Sequence, residues 1–140
     1  MILFLAIQVL MLEEKQAPCA KCDGEILLFT EQNMDNLLMK DVEAFFCTID
    51  ESCENNVEFI EYTDELMFQV INSRPEFSIE TLSTASSGSL KLILEKISNA
   101  HESADLKSAY SKISSVSGYD KIKKEVLKAI QTAIDNNKIK

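Results

Sequence analysis

A chain of 140 residues has room for one domain or two small ones, and a composition that is 46% hydrophobic and 26% charged supports a packed core. Three glycines, two prolines and no tryptophan leave few of the turn residues that a many-stranded sandwich or barrel uses, so the expected class is all-α. With 14 basic against 23 acidic side chains the net charge is -9, which repels a phosphate backbone and argues against general nucleic-acid binding.

The chain opens with MILFLAIQVLML, an apolar run from Met1 to Leu12 that gives way to Glu13-Glu14-Lys15-Gln16. As a helix it would span roughly 18 Å at about 1.5 Å per residue, short of the ~30 Å hydrocarbon core of a bilayer, so no transmembrane span is expected. The run has the length of a signal-peptide core and predicts a secretory signal over residues 1–17. No Lys or Arg precedes it, and Pro18 would follow the cut after Ala17. A retained apolar helix or a membrane anchor are the alternatives.

Four cysteines, Cys19, Cys22, Cys47 and Cys53, follow within 35 residues, and the remaining chain has none. An even number behind a signal-like start predicts two disulfides in an oxidising, extracellular setting. Of the three connectivities, the nested one (Cys22 to Cys47, Cys19 to Cys53) is expected, because it would staple both ends of a helical hairpin. Pairing within the CxxC would close a strained ring. A structural zinc is the main competitor, although Cys-x5-Cys is a poor second half-site. Thioredoxin-like chemistry lacks a βαβ pattern around its CxxC.

Charge divides the chain. Residues 1–85 carry 4 basic and 17 acidic side chains, whereas residues 86–140 carry 10 and 6. The seam is the small polar stretch from Ser83 to Ser89, typical of a loop. The expected organisation is an acidic cysteine-containing helical half, 18–85, and a basic helical half, 86–140, packed as one domain. The alternative is a basic module that addresses an acidic partner or a lipid surface.

Periodicity then predicts five to seven short helices. Asp23 to Gln32 supplies Ile26, Leu27, Leu28 and Phe29, with Asn33 and Asn36 near the turn. Asp35 to Ile49 places Leu38, Val42, Phe45 and Ile49 on one stripe, with Asp35 as N-cap. From Glu54 to Asn72, Val57, Ile60, Met67 and Ile71 form a stripe beside Phe59, Thr63, Leu66 and Val70. Pro75 ends that helix, and Phe77 to Leu82 gives a further short one. Leu90, Ile93, Leu94 and Ile97 fit a helix to about Asn99. Ala109, Tyr110, Ile113 and Val116 fit another from about Glu102, closed by Gly118. In the last, Ile122, Val126, Ile130 and Ile134 step by four, while Lys121, Lys123, Lys124 and Lys128 occupy other faces, a pattern of a surface helix or of one that touches an anionic membrane.

Catalytic signatures are absent from the sequence. It holds one histidine, His101, and no P-loop, HExxH, GxSxG or GxGxxG. The carboxylates at Asp50-Glu51 and Asp64-Glu65 read as solvated charge. The serines between Ser83 and Ser117 read as caps, loops and close-packing positions. Neither enzyme activity nor a metal or other cofactor is expected, and no Asn-x-Ser/Thr sequon occurs.

The run Cys19-Ala20-Lys21-Cys22, an apolar helical stretch, Cys47, Cys53, then Val57 to Ile71 and Arg74-Pro75-Glu76-Phe77 resembles the saposin-like family of small helical lipid-interacting domains. The resemblance covers residues 19–85. It implies a fold of four or five helices that opens or dimerises around lipid. Family cysteines number six, paired first to sixth, second to fifth and third to fourth; here Ile79 and Ala85 stand about where the last two would lie.

The expectation is therefore a small disulfide-stapled helical bundle, secreted and without catalysis. It would bind lipid or another apolar ligand, with Phe29, Phe45, Phe46, Phe59, Met67 and Phe68 as candidate lining residues, and with peripheral membrane contact as one form of this. The alternative is a secreted effector, antigen or signalling factor that binds a protein receptor through a helix surface.

Overall fold

The computed structural model describes residues 19–101 and 103–138. The predicted signal segment 1–17 lies outside the described residues, as does Glu102. Among the described residues there are seven α-helices and no strand: α1 Gly24–Gln32, α2 Met39–Thr48, α3 Val57–Ser73, α4 Pro75–Ser83, α5 Ser87–Ser98, α6 Leu106–Ser114 and α7 Asp120–Lys138. Short 3-10 turns, Met34–Asn36 and Glu51–Cys53, flank α2. The protein is a disulfide-stapled helical bundle.

Most helices begin where a polar side chain satisfies the free N–H groups of the first turn. Asp23 accepts from the Glu25 N–H, Asn56 from Phe59, Ser86 from Ser89 and Asp105 from Ser108. α2 departs from the expected start at Asp35. Asp35 lies in a 3-10 turn, Leu37 is extended, and the helix begins at Met39, where the Asp41 carboxylate accepts from the Leu38 N–H at 2.9 Å.

The cause lies 39 residues away. Arg74 is the chain's one arginine, and its guanidinium donates to the carbonyls of Asp35 at 2.7 Å and Leu37 at 3.0 Å. The Ser73 hydroxyl donates to the Met34 carbonyl at 2.7 Å. Carbonyls held from outside in this way are turned away from an α-helical ladder, so the helix starts later than the periodicity suggests.

Arg74 is also the corner between α3 and α4. Pro75 takes the first position of α4, where its missing N–H and fixed φ are no cost. This directs α4 into the centre of the molecule, where it packs against α2, α3, α6 and α7. Ser78, Ile79, Thr81 and Leu82 are buried there. α3 packs against α1, α4 and α6 through a stripe of Phe59, Thr63, Leu66, Met67, Val70 and Ile71. Val57, expected on one stripe with Ile60, Met67 and Ile71, is 63% exposed at the first position of α3.

The base-rich part meets the acid-rich part along α3–α6, α4–α6 and α4–α7, while α5 and α6 lie along α7. Polar ties cross the same boundary. Lys112 Nζ donates to the Asn72 carbonyl at 2.8 Å, and Lys96 pairs with Asp64 at 3.2 Å. Exposed ion pairs add little, so the join rests on buried apolar side chains that form one cluster from Leu27 to Ala133.

α6 is shorter than expected at both ends. The Ala104 N–H bonds the His101 carbonyl, and Asp105 caps the helix. Gly118 is not its C-cap, since the helix ends at Ser114 with Ser115. Gly118, at φ +78°, instead turns the chain toward α7 with Tyr119 at φ +54°, a conformation glycine adopts without steric cost.

Replacing Arg74 by Ala removes both long-range carbonyl contacts and is expected to cost about 2 kcal/mol. The urea midpoint should fall with an unchanged m-value, and Arg74→Lys should recover little of the loss because a single ammonium cannot reproduce the planar fork.

Candidate functional site

Two features stand out from the filled interior: the cystine staple at the start of the described chain, and the outward face of α1 that it anchors.

In the staple, Cys19 bonds Cys47 and Cys22 bonds Cys53, with Cα atoms 5.6 and 5.5 Å apart. The expected nested pairing is thus replaced by the interleaved one. The backbone explains the difference. The Cys22 N–H bonds the Thr48 carbonyl at 2.9 Å and the Asp23 N–H bonds the Thr48 hydroxyl at 2.8 Å, which lays the entry to α1 alongside the end of α2. Beyond Ile49 the chain folds into the Glu51–Cys53 turn, and this carries Cys53 back to Cys22. Cys19 is left opposite Cys47. Because the CxxC cysteines bond different partners, Cys19-Ala20-Lys21-Cys22 is not a redox pair, and no free thiolate among the four is left to ligate zinc. Among the described residues, no group of three or more His, Cys, Asp or Glu could hold a metal ion.

Asp50 organises the turn. Its carboxylate accepts from the Ser52 hydroxyl at 2.6 Å and the Ser52 N–H at 3.0 Å, and it pairs with Lys21 at 3.4 Å. The Ser52 hydroxyl, then its N–H, and to a lesser degree Lys21 hold the Asp50 carboxyl below the ordinary carboxylate value.

α1 is the least covered of the helices near the staple. Its four consecutive apolar residues Ile26, Leu27, Leu28 and Phe29 sweep about 300° at ~100° each, so they cannot all face one core. Leu27 is fully buried and Ile26 half-buried, while Leu28 and Phe29 are 49% and 48% exposed. Glu25, Leu28, Phe29 and Gln32, spaced for one helix face, are all exposed. Leu38, just past the next turn, is also exposed. Acidic Glu25, Glu31 and Asp35 lie around this stretch.

The other candidate lining residues lie elsewhere. Phe45, Phe46, Phe59, Met67 and Phe68 belong to the buried core, and the rings of Phe45 and Phe46 meet edge to face with centroids 5.2 Å apart. Two open surface depressions, of about 560 and 440 Å³, lie along α7 and along α5, and none of the six residues lines either. Sequence reasoning did not bring together the α7 depression: its lysines read there as the polar faces of a surface or membrane-contacting helix, and Tyr110 belonged to another segment. No described helix is long and apolar enough to cross a membrane. Comparison of the chain with protein-family models, curated protein sequences and solved structures finds no match in any of the three.

Partial reduction followed by peptide mapping should recover the pairs 19–47 and 22–53. Removing the first pair by Cys19→Ser with Cys47→Ser is expected to cost about 3–4 kcal/mol by the loop-entropy relation, read as a fall in denaturant midpoint. A carboxyl-carbon NMR titration should show Asp50 titrating below the ordinary carboxylate value, with Ser52→Ala moving it up toward that value. The stabilisation from Asp50 is present above the ordinary carboxylate value and is lost as the pH falls through the lowered one.

Proposed function

We propose that this is a secreted, non-enzymatic recognition protein that binds a protein partner through the exposed face of α1. The observation that carries the reading is the placement of the aromatic residues: five of the six candidates fill the core, and Leu28 with Phe29 faces solvent among acidic side chains. Singly exposed apolar residues need no explanation. A leucine and phenylalanine side by side on a helix, beside the cross-linked end of a hairpin, form a rigid apolar anchor with a charged rim. The partner surface that complements it is an apolar hollow bordered by Lys or Arg. The acid-rich half would speed the encounter by electrostatic steering. Two disulfides fit an oxidising extracellular compartment.

A second reading, binding of lipid or another apolar ligand as the saposin-like resemblance implies, is supported by a different feature, the partly apolar depression along α7.

Two measurements separate the readings. Native mass spectrometry of secreted material with a solvent extract should give the bare oxidised polypeptide with two disulfides; a retained lipid in the extract favours the second reading. Saturable binding of labelled protein to receptor-bearing cells should weaken with added salt, and Leu28→Ser with Phe29→Ser should abolish it while the circular dichroism spectrum is retained. Undiminished binding by that variant would remove α1 from the interface.

A further inference from the structure

The depression along α7 is built from a single helix stripe. Asp120, Lys124, Leu127, Lys128 and Asp135 recur at helical spacing along one side of α7, and Tyr110 of α6 joins them. From Asp120 to Asp135 the stripe runs roughly 22 Å at about 1.5 Å per residue. The depression is open to solvent and has a volume of about 560 Å³.

The charges within it are not equivalent. Lys123 donates from Nζ to the Val116 carbonyl at 2.7 Å and is committed to the end of the α6 segment. Lys124 and Lys128, four residues apart on one exposed face, form no ion pair with any described residue. Between them, Leu127 is half-buried and joins the apolar core, as does Tyr110. The carboxylates of Asp120 and Asp135 mark the two ends. An anion is therefore attracted to the middle of the stripe and repelled from its ends, while an apolar chain finds Leu127 and Tyr110 beside the lysines.

From this arrangement we infer that the α7 stripe is a binding site for a free single-chain anionic amphiphile, a molecule with one acidic headgroup and one acyl chain. The headgroup is held by Lys124 and Lys128 and the chain lies over Leu127 and Tyr110. Charge complementarity selects the sign of the head, and the half-buried floor selects the chain. The inference deepens the second reading above and rests on it for the ligand class alone; it does not involve α1.

The test uses dodecanoate below its micelle concentration as the probe, with dodecyltrimethylammonium and acetate as controls, followed by amide chemical shifts and titration calorimetry on the full mature chain. Dodecanoate should bind saturably with shifts concentrated in residues 120–135 and at Tyr110, while the cationic amphiphile and acetate should not. Lys124→Gln with Lys128→Gln should weaken binding about tenfold or more with an unchanged melting temperature, as both side chains are exposed. Equal binding of both amphiphiles, or unchanged affinity in the double variant, would overturn the site. So would binding only to anionic vesicles or only to an acidic helical peptide. Lipid retained in the extract with shifts confined to other helices would overturn this site while leaving the second reading intact; an empty extract with no dodecanoate binding would overturn both.

Discussion

The guanidinium of Arg74 joins two parts of the chain that are distant in sequence. It sits at the corner where α3 gives way to α4, and it holds the carbonyls of Asp35 and Leu37 in the connection between α1 and α2. A buried or half-buried carbonyl must find a donor. The planar fork supplies two at once in a fixed geometry, which an ammonium cannot. Pro75 then starts α4 without loss of a needed N–H, and α4 becomes the helix that the acid-rich and base-rich parts share. The same contact delays α2 and leaves Leu38 exposed just ahead of it.

A second constraint closes the other end of the hairpin. Interleaved disulfides fasten the entry of α1 to the exit of α2 and to the turn beyond, and hydrogen bonds through Thr48 hold the same segments in register. With its start covalently fixed, α1 loses little further freedom when its outer face meets another surface. Pre-organisation of that kind lowers the entropic cost of association. The apolar pair on α1 and the lysine stripe on α7 occupy different helices, the first flanked by Glu25, Glu31 and Asp35 and the second carrying Lys124 and Lys128.

Helices, their approximate limits and the all-α class were legible in the residues because an amphipathic stripe is a local property with a period of 3.6. So was the engagement of all four cysteines in disulfides, whereas the one N-cap named from the sequence, Asp35, lies in a 3-10 turn, and Asp23, Asn56, Ser86 and Asp105 cap the helices they precede. The ILLF run in α1 also held a readable signal, since four consecutive apolar positions on a helix leave some outside any one core.

Other features depended on contacts between distant residues. Which cysteines pair was decided by the turn that carries Cys53 back to Cys22, and the start of α2 by an arginine 39 residues downstream of Asp35. Composition alone cannot tell Phe29 from Phe45; one lies on the outer side of an edge helix and the other among packed helices, at 48% and 0% exposure. Lys124 and Lys128 of α7 share one depression with Tyr110 only because α6 is laid beside α7. Sequence by itself determined the local periodicity and the supply of capping, cross-linking and charged groups. Tertiary structure decided which of those groups met, because burial and long-range hydrogen bonding are properties of neighbours in space.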